Sequence, residues 1–443
     1  VALSKSLNRI LTYVLYNRAK GDVRHFMETA LGDTVTQMTR RSLRGIKDAL
    51  VPGALFEELG FRYVGPVDGN DIHTLLHCLE SVKNHPRPVL LHCVTQKGKG
   101  YPYAEDDPLA YHGVGPIDLT TGKSTKSSDS SATSFTDAFA QAVIEAARED
   151  DRIVGITAGM PTGTGLSKFE EVFPERFFDV AICEQHAVAF AAGLATQGMK
   201  PIAAIYSTFL QRGYDQFVHD VCLQKLPVVF AIDRAGLVGE DSPTQQGAFD
   251  LSFLRAIPNV SVSAPRDNLD LQRMFRWCLE QDHPTAFRYA RDRGPQIGPD
   301  ERGRIDRGEV LREGTDANFV AIGPVVGACL VAAEILAREG ISIGVADARF
   351  VKPLDERLID TLSDRSLITV EENTLVGGFG SAVLEHFEKQ DRLQDVRIKR
   401  LGIPDRFLEH MTRYEQLEEC GLDAKGLAES ARRFLTTGIA ERV

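Results

Sequence analysis

At 443 residues the chain is too long for one compact core, and about 150 residues per domain suggests roughly three. A formal net charge of −11 disfavours nonspecific attraction to nucleic acid or to an anionic membrane surface, while 43% hydrophobic and 26% charged residues argue against disorder of the whole chain. The seven cysteines are scattered without C-x-x-C spacing, and no apolar run approaches the ~20 residues of a membrane span, so a cytoplasmic protein with reduced thiols is expected.

The first residue is Val1, which leads directly into the helical pattern Leu3, Leu7, Ile10, Leu11, Val14 and Leu15, so the start is expected to be a cut. Residues 1 to about 50 set apolar positions such as Ile46 and Leu50 beside Arg40, Arg41 and Arg44, which predicts surface helices. Phe61 to Val64 and Val89 to Thr95 predict short strands bounded by Gly or Pro, with a helix near Asp71 to Lys83 between them. Residues 118–134, DLTTGKSTKSSDSSATS, offer too little apolar surface to offset their ordering entropy and predict a linker.

From Phe135 to about Arg304, the apolar runs Ile153 to Thr157, Phe178 to Cys183, Ile202 to Ile205 and Val228 to Ile232 alternate with helical patterns. Continuous apolar strands of this kind belong to parallel sheets buried on both faces. The pattern restarts with Phe319 to Ile322, Ile343 to Ala346, Leu367 to Val370 and Val396 to Leu401, predicting a second α/β domain. Gly377-Gly378-Phe379-Gly380 is read as a helix-opening turn, because Val383 stands where a dinucleotide fingerprint needs glycine.

In open α/β sheets, ligands collect beyond the carboxyl ends of the strands. Those ends carry Ala158 to Gly163, Glu184-Gln185-His186, Tyr206 to Phe209, and Asp233 to Gly236. Glu184 follows the apolar run Val180 to Cys183 and opens a helical pattern, where its carboxylate would be partly desolvated and able to exchange a proton with a bound ring nitrogen. An acidic residue favoured by the helix macrodipole is the alternative. His186 alone is more often structural, Phe209 alone reads as core, and Arg212, Arg234 and Arg291 alone read as surface residues.

The strings DVAICEQHAVAFAAGLA, YSTFLQRGYDQ, IDRAGLVG, QGAFDLSFLRAIPN and RFVKPLD, with VPGALFEELGFRYVGPVDG and KGKGYPYAEDDPLAYHG upstream, resemble the 1-deoxy-D-xylulose-5-phosphate synthase family in order and spacing. The resemblance spans essentially the whole chain. It implies transketolase-like parallel-sheet α/β domains: the remainder of an N-terminal diphosphate-binding domain over 1–117, a linker over 118–134, a pyrimidine-binding domain over 135–304 and a C-terminal domain over 305–443. It further implies a homodimer that uses thiamine diphosphate and Mg2+ to condense pyruvate with D-glyceraldehyde 3-phosphate. CO2 is released, and 1-deoxy-D-xylulose 5-phosphate, a precursor of isoprenoids, thiamine and pyridoxal, is formed.

By the same resemblance Glu184 meets the cofactor's pyrimidine nitrogen, Phe209 stacks on that ring, and Met160, Tyr101 and Arg212 lie near it. His112 is implied as a catalytic imidazole, a group suited to proton transfer near neutral pH, and Lys97 as a residue near substrate. Tyr206, Arg234 and Arg291 are implied to hold the acceptor phosphate, whose oxygens guanidinium forks match, with Asp241 and Gln245 on the same substrate side.

Two departures matter. Where the family reads G-A-D-G-x-T-H-Q-G, this chain has Gly239 to Gly247 with Gln245 in place of the histidine; glutamine can hydrogen-bond but cannot carry a proton, so retained activity with a changed acceptor profile is expected. No G-D-G segment followed by Asn occurs, so the diphosphate and metal ligands are expected to lie outside this chain, and the isolated fragment is expected to bind the cofactor poorly. Competing readings are a β-type subunit of a 2-oxo-acid dehydrogenase or of a split transketolase, and a noncatalytic homologue.

Overall fold

The protein, seen in a computed structural model, is described over residues 53–108, 110–125, 133–294, 296–298 and 302–437, and divides into two units, Val1–Asp129 and Ser130–Val443. The surface helices expected before residue 50 lie outside the described residues. In the first unit β1 (Arg62–Asp68) and β2 (Val89–Val94) pair in parallel, joined by the helix Ile72–Val82. Asp71 starts that helix, its carboxylate accepting from the backbone N–H groups of His73 and Thr74. This is the strand, helix, strand unit expected from the sequence.

The first part of the expected linker is held in a turn. The Asp118 N–H donates to the Lys123 carbonyl at 2.9 Å, and its carboxylate accepts the Thr120 and Thr121 amides at 2.8 and 3.2 Å. Three hydroxyls then fix the turn's carbonyls: Tyr101 donates to Leu119, Tyr103 to Thr120 and Tyr111 to Gly122. Tyrosine hydroxyls here supply the ordering that apolar burial does not. The stretch 126–132 lies outside the described residues.

The second unit contains two sheets. β3 (Ile153–Thr157), β4 (Phe177–Asp179), β5 (Lys200–Tyr206), β6 (Val229–Asp233), β7 (Ser261–Ser263) and β8 (Thr285–Arg288) belong to the first. β9 (Glu309–Arg312), β10 (Ala317–Ile322), β11 (Ile343–Asp347), β13 (Ser366–Thr374) and β14 (Ile398–Ile403) form the second, in the order β14-β13-β10-β11-β9. β12 (Phe350–Lys352) crosses over to the first sheet, whose order is β12-β7-β8-β6-β5-β3-β4; it pairs antiparallel with β7, whereas the other pairs of that sheet are parallel. β3, β6, β10 and β11 are buried along their whole length, as their mainly apolar runs require, with Asp233, Asn318 and Asp347 as buried polar exceptions. Phe135, Phe139, Phe275 and Phe287 close one core face, each fully buried and contributing about 1.5–3 kcal/mol.

A buried ionic cluster ties the two sheets together. Arg266 and Arg349 are both 0% exposed. Arg266 Nη1 reaches Asp347 at 2.8 Å, Glu309 at 2.8 Å and Asp270 at 3.2 Å; Arg349 reaches Asp270 at 3.1 Å and Glu309 at 2.6 Å. Burial pushes Asp347 up to about 6 against the pull of both guanidiniums.

One expected strand is corrected. The run Phe178 to Cys183 leaves the sheet at Asp179, because the Asp179 carboxylate accepts the N–H groups of Gly159 at 2.7 Å and Ala181 at 2.9 Å, and Ala181 turns with a φ of 57°. That turn aims the following helix.

Candidate active site

The helix Glu184–Thr196 begins at Glu184, and its N-cap residue Cys183 makes no side-chain capping bond. The apolar face of Ala187, Val188 and Ala191 packs into the core and draws the first turn inward, leaving Glu184 only 3% exposed. Among the described residues, the buried Glu184 Oε2 has no hydrogen-bond partner. A carboxylate oxygen desolvated in this way is costly unless a donor meets it. The bond expected from a ring nitrogen or its proton fits that vacancy in hydrogen bonding.

Around it, loops leave the carboxyl ends of adjacent strands. Met160 and Phe209 are half-buried, Phe209 packing against the core, and Tyr206 and Phe209 stack with ring centroids 5.4 Å apart at 17°. Arg212 is exposed in the short turn after Phe209. His186, the doubtful candidate, is exposed and stacks on Phe190 at 5.8 Å.

Beyond β6 the backbone at Arg234 adopts a φ of 56°, turning its guanidinium back over the sheet end. Nη1 donates to Asp233 Oδ2 at 2.7 Å, to Thr136 Oγ1 at 3.4 Å and to the Gly163 carbonyl, while Cζ lies 4.3 Å above the centre of the Tyr206 ring. Burial pushes the Asp233 carboxyl up to about 6, opposed by Arg234 and the Thr136 hydroxyl. Burial likewise pushes Tyr206 up to about 12, with Arg234 and Arg291 opposing it and Asp233 and Asp241 reinforcing it. The structure thus brings Tyr206, Arg234, Arg291 and Asp241 into one electrostatic neighbourhood, in which the tyrosine keeps its proton at neutral pH and stays a donor. Arg291 is exposed and makes no ion pair among the described residues, Asp241 is half-buried, and the half-buried Gln245 donates its N–H to the Ser242 carbonyl at 3.0 Å.

Sequence reading took Gly163 only as the last residue of the segment after β3 and gave it no part of its own. A Cβ there would lie 1.8 Å from Tyr206 Oη and 3.2 Å from Met160 Cε, so only glycine lets the loop pass between them. Gly163→Ala is expected to displace Tyr206 and to raise the half-saturating concentration of a phosphorylated acceptor about tenfold, which steady-state kinetics would read.

In the first unit, His112 and Lys97 are exposed, each on a turn. Lys99, not Lys97, pairs with Glu105, at 3.5 Å. Tyr101 is half-buried, its hydroxyl bonded to the Leu119 carbonyl at 3.1 Å and its ring edge-on to Tyr103 and Tyr111.

Family models match three segments: "Transketolase, pyrimidine binding domain" over residues 131–296, "Transketolase, C-terminal domain" over 306–427, and "1-deoxy-D-xylulose-5-phosphate synthase" over 1–95. The 1-deoxy-D-xylulose-5-phosphate synthase of Syntrophus aciditrophicus is 48% identical over 445 residues, 99% of this chain and 68% of that protein. Synthase 1 of Geobacter sulfurreducens is 48% identical, covering 98% of this chain and 69% of its own length. Among solved structures, an inactive β4 tetramer of a split-gene transketolase superposes with a TM-score of 0.62 at 31% identity, over 68% of this chain and 98% of its own. A transketolase from Pichia stipitis, at 20% identity and a TM-score of 0.59, covers 70% of this chain and 47% of its own and shares the fold. About half of all residues identical over nearly the whole chain, with the match at 1–95, decides against the dehydrogenase-subunit and split-transketolase readings: the chain belongs to the 1-deoxy-D-xylulose-5-phosphate synthase family.

Proposed function

We propose that the chain is a thiamine-diphosphate-dependent transferase of the transketolase type, condensing pyruvate with D-glyceraldehyde 3-phosphate to give CO2 and 1-deoxy-D-xylulose 5-phosphate. The observation that carries the reading is the buried Oε2 of Glu184, without a partner among the described residues, on the first turn of the helix that follows β4 of the parallel sheet. Bound there, thiamine diphosphate supplies the electron sink for decarboxylation and carbon–carbon bond formation. Glu184 would hold or pass a proton at the pyrimidine nitrogen, Phe209 would take the ring's face, and Met160 and Arg212 would lie beside it; Tyr101 of the first unit is proposed as a cofactor residue on the resemblance alone. Mg2+ is proposed as the partner of the diphosphate; among the described residues no group of three or more His, Cys, Asp or Glu side chains could hold a metal.

On the substrate side, Arg234 is held by Asp233, Thr136 and Gly163, so its guanidinium is oriented before a ligand arrives. Arg291 adds a second fork and Tyr206 a neutral donor, a set suited to a phosphate dianion. Asp241 and Gln245 face the remaining acceptor hydroxyls, Lys97 lies near substrate, and His112 moves a proton during bond formation. The domain assignment 1–117, 118–134, 135–304 and 305–443, the homodimer and the cytoplasmic location are proposed with it. The test follows pyruvate and glyceraldehyde 3-phosphate by NMR with thiamine diphosphate and Mg2+ raised to concentrations that load the chain despite the poor cofactor binding expected of it. CO2 release that needs the aldehyde, with the five-carbon ketose phosphate formed, is expected; pyruvate consumption indifferent to the aldehyde, or transfer of a two-carbon unit from a ketose phosphate instead, overturns the proposal.

A further inference from the structure

The loop between β6 and the helix Asp250–Arg255 carries Asp241 and Gln245, yet several of its fixed points belong to the C-terminal part of the chain. Its neck is closed by reciprocal backbone bonds of Gly236 and Gly247 at 2.7 and 2.8 Å. Against that neck lies Glu372 of β13, 3% exposed, whose Oε2 accepts the Leu237 N–H at 3.4 Å. At Gly236, which has a φ of 77°, a Cβ would come within 2.7 Å of the same oxygen. Further along, the Gly239 N–H donates to Oε1 of the fully buried Gln416 at 2.9 Å, and a Cβ on Gly239 would lie 2.8 Å from the backbone nitrogen of Arg413. The loop is therefore seated on the helix Arg413–Glu419.

Arg413 joins these contacts to the other half of the phosphate neighbourhood. Both of its terminal nitrogens donate to the Glu372 carboxylate at 2.8 Å, a bidentate fork that fixes the guanidinium plane. The remaining Nε donates to Asp292 Oδ2 at 3.0 Å, one residue beyond Arg291. One side chain, 13% exposed, thus spans from the support of the Asp241 loop to the turn that presents Arg291. From this geometry we infer that Arg413, locked by Glu372, is a positioning residue for recognition of the acceptor's phosphate. The inference rests on the function proposed above. Arg413 acts through Asp292 and the loop backbone, so its loss changes where Arg291 and Asp241 sit and leaves the pyruvate side, built on Glu184, alone.

The test uses the holoenzyme. Arg413→Met alone would strand a buried carboxylate, so Arg413→Met is combined with Glu372→Gln, which keeps an acceptor for the Leu237 amide without a charge. Expected is a rise of about tenfold in KM for glyceraldehyde 3-phosphate and in the calorimetric Kd for glycerol 3-phosphate, with KM for pyruvate within about twofold. Hydrogen exchange at Leu237 and Gly239 is expected to accelerate in the same variant. Arg413→Lys, which keeps the charge but cannot fork onto Glu372 and reach Asp292 together, should fall between wild type and the double variant. If the double variant does not fold, Asp292→Asn at the half-exposed end of the link is read by the same constants, with a smaller rise of the same kind. Pyruvate and acceptor constants moving together, or an unchanged glycerol 3-phosphate affinity in a folded variant, overturns the inference. A wild-type enzyme that shows no acceptor dependence sinks the underlying reading instead, an outcome visible before any variant is made.

Discussion

Substituting Glu184→Gln is expected to lower kcat about 10²- to 10⁴-fold, the range for removing a positioned proton-transfer group. The change is nearly isosteric: it keeps one oxygen that can accept, removes the exchangeable charge, and places an NH2 where Oε2 or Oε1 stood. Because the side chain is 3% exposed and one oxygen has no partner among the described residues, none of those residues is bonded there to take over its role. Were Glu184 only an acidic residue favoured at a helix N-terminus, the same substitution would cost at most about 1 kcal/mol of stability and leave kcat unchanged. Steady-state kinetics beside a denaturation curve separates the two: a kcat drop below about threefold contradicts the catalytic assignment.

Arg349→Met is expected to destabilise the second unit by about 3–5 kcal/mol, the usual consequence of removing one partner from a buried ion pair. Arg349 is fully buried, and its guanidinium bonds Asp270, Glu309 and the carbonyls of Arg304 and Arg307. Methionine fills part of the volume but leaves those acceptors without the donor that offsets their desolvation. The cluster sits where the two sheets meet, so the loss should also uncouple them. As a contrast, Arg432→Met removes an exposed partner of Glu339 and should cost no more than about 1 kcal/mol. Urea unfolding followed by circular dichroism reads both; equal midpoints for the two variants would contradict the ranking.

Much of the α/β layout is legible in the sequence, because strands buried on both faces must be mainly apolar, and the central stretches of β3, β5, β6, β10 and β11 are. Other strands are too short or too polar to register. β8 ends in Arg288, whose buried guanidinium bonds Asp250, and β12 is three residues long and joins a sheet built otherwise from an earlier stretch of chain. The strand expected to run to Cys183 stops at Asp179 because one carboxylate captures two backbone amides across the turn, an event that periodicity does not encode. Likewise, the turn at 118–122 is ordered by three tyrosine hydroxyls from earlier in the sequence together with its own Asp118 carboxylate, neither of which its lack of apolar residues reveals.

The candidate site was read from strand-end logic and family strings, which pointed to Glu184, Tyr206, Arg234 and Arg291. Its supports were not. A side chain at Gly163 is excluded as the loop stands only because the Tyr206 hydroxyl lies against it, and Arg413 meets the loop of Asp241 only because the fold lays the helix Arg413–Glu419 against Gly239. Both depend on contacts between residues far apart in sequence, and a single chain read in order carries no sign of them.

The most direct measurement is a crystal structure of the enzyme with thiamine diphosphate bound. The account predicts a pyrimidine ring nitrogen about 2.7–3.2 Å from a Glu184 carboxylate oxygen, with the Phe209 ring against the pyrimidine face. A cofactor seated elsewhere, or a Glu184 carboxylate turned away from it towards water, would contradict the account.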